Sequence, residues 1–450
     1  MKATMIFTGQ GHDHAVKELF PTLYVPGAEE LTAVETGTTG FYGFGVAITP
    51  SSCYELNRMD PAERKALLRS IYTKEGIGLS IARLCIGSSD YSAEIYSYDD
   101  MAFDTELAHF SVERDEAYVI PMIKEILEIN PDLYLYASPW SPPYWMKTGG
   151  CMCGGYMREE YLECYADYII KFVEAYAAHG IKVSGITPQN EPNTQQNGKM
   201  PACIWHPELE AKFIGILRAK CVEKGLDLKI WMHDHNFSDV NRVLWSLANC
   251  KGLKESCDGV AFHYYEGTVE QTKAVGVQYP ELELHFTEGG PRLTDHYDTD
   301  WCKWGTIVLK TLKAGYRSFT GWNLMLDECG GPNVGPFIGI CGGLVTHDNR
   351  TEELRYSGQY KAFSHIAPYI TREAMIYPIL QSETAGWMVS RYPKYDFALD
   401  GVLIDQQNGK KVAVLVNPND HGVQAQLKVD DTLWYVELLA DSIATIVIEE

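Results

Sequence analysis

Along most of the chain, short apolar runs of strand length alternate with longer amphipathic stretches. Between about residues 40 and 367 eight such runs stand out: "YGFGVAI", "LSIARLCI", "LYLYASPW", "KVSGITPQNE", "LKIWMHDH", "GVAFHYY", "LELHFTEG" and "RSFTGWNLML". The segments between them, such as "PAERKALLRSIYTKEG", "REEYLECYADYIIKFVEAYAAHG", "PELEAKFIGILRAKCVEKG" and "TDWCKWGTIVLKTLKAG", repeat apolar residues at helical spacing. Several open on Pro and stop at Gly. Pro lacks only an N–H that a first turn leaves unused, and Gly accepts the left-handed backbone of a helix end. The strands are apolar nearly throughout, as expected when both faces of a parallel sheet are covered. Eight strands alternating with helices predict an α/β fold, a (β/α)₈ TIM barrel over residues 40–367.

After residue 368 the rhythm changes. "AGWMVSRY", "DFALDGVLID", "KKVAVLVN", "GVQAQLKVD", "TLWYVELL" and "SIATIVIEE" read as strands with no helix between them. Asn408-Gly409 has the composition of a two-residue hairpin turn. Residues 368–450 therefore predict a small all-β sandwich domain, and the pieces "TMIF" and "TLYV" within residues 1–39 are expected to add strands to it.

Composition narrows the chemistry. A net charge of -22, with no run of Lys or Arg, excludes nucleic acid and anionic membrane surfaces as expected partners, since phosphates are bound by neutralising them. Aromatic residues reach 12%, including 10 Trp and 28 Tyr, which suits sugar rings whose apolar faces stack on flat side chains. Neither a leader of secretory length nor a membrane span is visible, so the expectation is a cytoplasmic protein without stable membrane insertion. The 12 cysteines are scattered and read as reduced thiols. Cys151 and Cys153 form the one close pair, and without a matching second pair they read as loop thiols rather than a metal site.

In such a barrel the chemistry gathers at the C-terminal ends of the strands. Reading those ends gives Arg83, Trp140, Asn190 with Glu191, Asp234 with His235, His263 with Tyr264 and Tyr265, Glu288, and Trp322 with Asn323. Glu191 closes the fourth strand and Glu288 the seventh, so closure of the barrel turns both toward one cavity. Two facing carboxylates are what glycoside hydrolysis requires: one protonates the leaving oxygen and the other supports or attacks the anomeric carbon. A separation of about 5 to 5.5 Å would mean retention and about 6.5 to 9.5 Å inversion. A structural ion network around Arg83 is the competing reading, but one arginine cannot neutralise two buried carboxylates.

These residues resemble glycoside hydrolase family 30, the group that includes glucosylceramidase. The likeness runs through "YGFGVAIT", "KEGIGLSIARLCIGSSDYS", "YSYDD", "ASPWSPPYWMKTGG", "GITPQNEP", "VAFHYY", "FTEGG" and "GWNLMLDECGGPN". It implies Glu191 as general acid/base, Glu288 as nucleophile, and Asn190 on the sugar 2-hydroxyl. It further implies Arg83 holding the nucleophile ionised, with Asp90, Trp140 and Trp322 gripping the sugar, Tyr264 or Tyr265 donating to the nucleophile, and Asp234 and His235 on the rim. The chain departs from the glucosylceramidase pattern at Val46 and Pro50 and after "GGPN", changes expected at the pocket rim.

The expected activity is a retaining exo-β-glycosidase on β-D-glucosides, of the type that serves sphingolipid metabolism. β-D-xylosidase or β-1,6-glucanase activity stands as the alternative. The expected partner is a small glycoside or short oligosaccharide, with no cofactor. A metal-dependent hydrolase, resting on His233, Asp234, His235 and His263, is the rival in another reaction class. A sugar-binding barrel without catalysis is a further rival, disfavoured because both glutamates are present.

Overall fold

The computed structural model describes residues 2–381 and 399–449. At its centre eight parallel strands close into a barrel in chain order: Gly43–Ile48, Ile81–Ile86, Tyr134–Pro139, Val183–Ile186, Lys229–Asn236, Gly259–His263, Glu283–Glu288 and Ser318–Asn323. Helices follow each strand and cover the outside. The local chemistry that starts and stops them is visible. Asp60 accepts from the N–H groups of Ala62 and Glu63 at 2.9 and 3.2 Å and so caps helix Pro61–Tyr72. Helix Pro207–Lys224 ends on Gly225 at φ 67.

Alternation along the first strand sorts its side chains. Phe44, Val46 and Ile48 pack into the layer between barrel and helices, while Ala47 belongs to the cluster around Trp140 and Trp322. Val46 is thus a packing residue of the outer layer, and Pro50 is the first residue of helix Pro50–Arg58. Neither lines the pocket described below, contrary to the rim position expected for them. A Cβ on Gly45 would lie 1.7 Å from the Ile81 carbonyl, so this inward position has room only for glycine. Ile81, Tyr136, Trp231 and Ala261 fill the lower barrel and make it a closed floor.

A second, ten-stranded sheet combines both ends of the chain, as expected for the sandwich. Lys2–Gly9, His12–Leu19, Pro21–Thr22 and Glu29–Ala33 join Met375–Gln381, Asp400–Asp405, Lys410–Asn417, Val423–Val429, Thr432–Leu438 and Ser442–Glu449. Met375–Gln381 pairs with Asp400–Asp405 at one end and with Glu29–Ala33 at the other, which links the two layers around a core that includes Met5, Leu31, Leu415, Trp434 and Ile446. The hairpin at Asn408-Gly409 forms, but its turn spans 407–409, closed by the Gln406 N–H on the Lys410 carbonyl at 3.1 Å. The expected strand "AGWMVSRY" lies outside the described residues. No helix among the described residues is long and apolar enough to cross a membrane.

Candidate active site

The barrel's C-terminal mouth holds a cavity of about 560 Å³. Seven residues singled out at strand ends line it, Trp140, Asn190, Glu191, His235, Tyr265, Glu288 and Trp322, together with Asp90, which the family resemblance named. Trp140 and Trp322 stack with ring centroids 5.1 Å apart and planes 23° apart. Asp90 is almost fully buried among them, and its Oδ1 has no hydrogen-bond partner among the described residues. Burial, then the charges of Glu288 and Glu191, push its carboxyl well above the usual range.

Beneath the cavity lies a layer of fully buried charge. Arg83 stands inside the second strand rather than at its tip, and its guanidinium reaches upward. It donates to Glu288 Oε2 at 2.5 Å, Asp234 Oδ2 at 2.7 Å, Asn190 Oδ1 at 2.8 Å and Ser138 Oγ at 3.0 Å. Asp234 also accepts from Thr187 at 2.6 Å, Thr287 at 2.7 Å and His263 at 3.0 Å. Burial alone would raise its pKa, but Arg83 and His263 hold it far below the carboxylate range. Asp234 and His263 do not line the cavity, so their place is under the pocket rather than on its rim.

Glu288 is fixed at both oxygens, since Oε1 accepts from the Tyr265 hydroxyl at 2.9 Å and Oε2 from Arg83. Tyr264 instead donates to the Gly290 carbonyl at 3.4 Å and packs on Trp304, so of the two tyrosines only Tyr265 reaches Glu288. Asn323 is buried too, accepting from the Thr49 hydroxyl at 2.8 Å, and does not reach the cavity.

Glu191 has a left-handed backbone, φ 51, and its N–H donates to the Asp234 carbonyl at 3.0 Å. Its Oε1 faces His263 Nδ1 at 3.3 Å and His235 Nε2 at 3.6 Å; its Oε2 accepts from Gln196 at 2.6 Å. Burial works to raise this carboxyl, but His235, His263 and Gln196 outweigh it and bring it down to about 2. His263 moves the other way: burial lowers it, yet Glu288, Asp234 and Glu191 lift it to about 9. The pair therefore shares one proton, and the opposite directions of the two shifts favour the imidazole as its holder. Chosen oxygens of Glu191 and Glu288 and a ring nitrogen of His263 all lie within 4.8 Å of one another.

That triplet has the composition of a cation site, and its donor set argues against one. A ligating imidazole offers a free lone pair, whereas both ring nitrogens of His263 already face carboxylates, Nδ1 toward Glu191 at 3.3 Å and Nε2 toward Asp234 at 3.0 Å. The other expected metal residue, His233, packs on Phe262 away from the cavity. Strict alternation would set His233 and His235 on one face, but the register slips at Asp234, so Ala261 pairs with His233 and Phe262 with His235. Cys151 and Cys153 have no metal-ligating neighbours among the described residues, and all 12 cysteines are free thiols.

Sequence reasoning missed the loop residues of the cavity, among them Tyr91, Asn193, Gln196, Arg292, Phe337 and Cys341. The amide-rich run "NTQQNG" directly after Glu191 was the one available signal. The departure after "GGPN" does reach the pocket, through Phe337, Ile340 and Cys341.

The profile "Glycosyl hydrolase family 30 TIM-barrel domain" matches residues 41–339. "Putative glucosylceramidase 3" of Caenorhabditis elegans is 29% identical over 364 residues, covering 74% of this chain and 67% of that protein. "Endo-1,6-beta-D-glucanase" of Neurospora crassa is 28% identical over 357 residues, 77% of this chain and 72% of that one. Among solved structures, SrfJ from Salmonella typhimurium superposes with a TM-score of 0.89 at 25% identity, covering 100% of both chains.

Proposed function

The chain belongs to glycosyl hydrolase family 30 and is an O-glycosyl hydrolase, and from that premise we propose that it is a retaining exo-β-glycosidase acting on β-D-glucosides. The observation that carries this reading is the approach of Glu191 and Glu288, whose oxygens come within 4.8 Å across the cavity. Such spacing supports direct attack by a carboxylate, since an inverting pair stands about 6.5 to 9.5 Å apart to hold a water between its carboxyl groups.

In this reading the Glu288 carboxylate, oriented by Arg83 and Tyr265, forms a bond to the anomeric carbon as the glycosidic C–O bond breaks. Glu191 delivers the proton to the departing oxygen. That proton comes from His263, 3.3 Å away, once the sugar has entered and water has left. Water then adds to the anomeric carbon, gives its proton to Glu191 and frees Glu288. Asn190, held at 2.8 Å by Arg83, is placed to bind the sugar 2-hydroxyl. Asp90, whose carboxyl is pushed up by burial, and the two stacked tryptophans suit a neutral pyranose, and the glucosylceramidase named among the relatives supports action on a terminal residue. The Neurospora crassa relative supports attack within β-1,6-glucan as the second reading.

A panel of nitrophenyl β-glycosides, with NMR of the first-formed anomer, tests the reading. Fastest turnover of the β-glucoside with β-glucose released first is the expected result. A 2-fluoro-β-glucoside should leave its sugar esterified on Glu288, and Glu288→Gln should lose at least about 10³-fold in kcat, in the range seen when an acting nucleophile is removed. Release of α-glucose, or a label on another residue, would sink it. Internal cleavage of β-1,6-glucan outpacing the nitrophenyl glucoside would replace exo by endo action.

A further inference from the structure

The segment after Glu191 does something its sequence does not announce. Gln196, Asn197 and Gly198 take three consecutive left-handed conformations, φ 48, 52 and 69. For two non-glycine residues this is a strained arrangement, held because the flanks are pinned. On one side Trp205 N–H donates to the Pro192 carbonyl at 2.7 Å. On the other, the buried Lys147 ammonium donates to the Met152 and Ala202 carbonyls at 2.8 and 2.6 Å, tying this loop to the one before it. The outcome is that a half-buried glutamine on the cavity wall places its amide 2.6 Å from Glu191 Oε2.

Both oxygens of Glu191 are thereby occupied in the free site, Oε1 by the histidines and Oε2 by Gln196. A group that must carry a proton in one half-reaction and accept one in the other needs a neighbour that suits both states. A side-chain amide does so: its N–H₂ donates to a carboxylate, and its carbonyl, after rotation, accepts from a carboxylic acid. From this arrangement we infer that Gln196 is a positioning residue, which aims Glu191 and stabilises its ionised form until the leaving group takes over Oε2. The inference rests on Glu191 being the acid/base.

The other charged groups near Glu191 are His263 and His235 at its Oε1, Glu288 across the cavity and Asp90 on the cavity wall. Gln196 donates to Oε2 at 2.6 Å, so its replacement reads this contact.

The test compares pH profiles of kcat/KM on two β-glucosides. An alkyl glucoside requires protonation of its leaving oxygen; a dinitrophenyl glucoside does not. Gln196→Met keeps the size and removes the donor. It should lower kcat/KM for the alkyl glucoside about tenfold, since a lost hydrogen bond to a charged group is worth that much, and cost the dinitrophenyl glucoside far less, while the alkaline limb, which reports the His263 proton, stays in place. Gln196→Glu, which faces Glu191 with a second carboxylate, should hold the pair's proton more tightly and move that limb upward. Equal losses on the two substrates in Gln196→Met, with an unmoved limb in Gln196→Glu, would overturn the inference and leave Gln196 a structural loop residue. Glu191→Ala separates the levels. If that variant keeps its rate on the alkyl glucoside, the acid/base reading itself fails; if it loses that rate selectively while Gln196→Met loses both substrates equally, only the role of Gln196 falls.

Discussion

His263 sits among three carboxylates, with Nδ1 3.3 Å from Glu191, Nε2 3.0 Å from Asp234 and 3.9 Å from Glu288. Arg83 and a protonated His263 set two positive charges against those three carboxylates, so the imidazole proton offsets much of their repulsion. The sign of the linkage follows. His263 has a folded pKa of about 9, above its ordinary 6.5, so its contribution to stability is complete below 6.5 and disappears as pH rises through 9. That rise corresponds to about 3 kcal/mol for a fully buried group. Urea titrations of wild type and His263→Gln should therefore converge between pH 6.5 and 9; a gap independent of pH would refute the assignment of the proton. At this scale legibility in the sequence was uneven. Glu191, Glu288 and the two tryptophans were readable because barrel strands end at the site. Arg83 was read as a strand end but stands inside its strand, and a long side chain rising from mid-strand reaches the same point as one at the tip. Gln196 and Asn193 carry no periodicity and reach the cavity through backbone turns that no residue pattern encodes.

Elements position these residues by breaking their own regularity. In three barrel strands the ladder slips by one residue near the C-terminal end, and the extra residues are Asp234, Thr287 and Trp322. Each slip turns the last side chains away from strict alternation, as bulges do beside active sites. That is why Asp234 and His235, neighbours in sequence, both face inward, while His233 packs on Phe262 away from the cavity. The helices were legible to within a few residues, because Asp60, Pro207 and Gly225 mark their ends chemically. The segment following strand two is a different matter. It is held by Asp115, a buried carboxylate that accepts from Tyr96 at 2.6 Å, Tyr98 at 2.5 Å and Tyr176 at 2.7 Å. Tyr176 belongs to helix Leu162–Ala178, so this contact fastens the segment that carries Asp90 to the barrel wall. Asp115→Ala would leave three buried hydroxyls without an acceptor. At roughly 1 to 3 kcal/mol each, urea denaturation should show a loss of about 3 kcal/mol or more. KM should rise more than kcat falls, because the segment carries Asp90 of the cavity wall and neither Glu191 nor Glu288. A loss below about 1 kcal/mol would mean that the tyrosines find other partners.

For the whole molecule the question is whether barrel and sandwich are separable. The strand Lys410–Asn417 was read simply as an apolar run, and the structure gives the reason for that run: both of its faces are covered. Val412, Val414 and Val416 pack into the core shared with the barrel, and Ala413 and Leu415 into the sandwich. Ser442–Glu449 divides the same way, with Ile443 toward the barrel and Ala444, Ile446 and Ile448 inside the sandwich. Helix Trp301–Lys313 fits against this face so closely that a Cβ on Gly305 would lie 3.0 Å from Val416 Cγ2, and Trp301 donates to the Asp441 carbonyl at 2.8 Å. Buried His365 bridges Thr445 and Thr8 at 3.0 and 2.8 Å, so the first and last strands are fixed to the last barrel helix. A continuous apolar junction of this kind should abolish independent unfolding, although chains of this size commonly show more than one transition. Val414→Asp tests it, since the charge would enter the shared core without a partner at a cost of several kcal/mol. In urea, near-ultraviolet circular dichroism and glycosidase activity should fall at one midpoint in wild type and at one lower midpoint in the variant. A variant in which activity outlasts the loss of sandwich structure would show instead that the barrel stands without it.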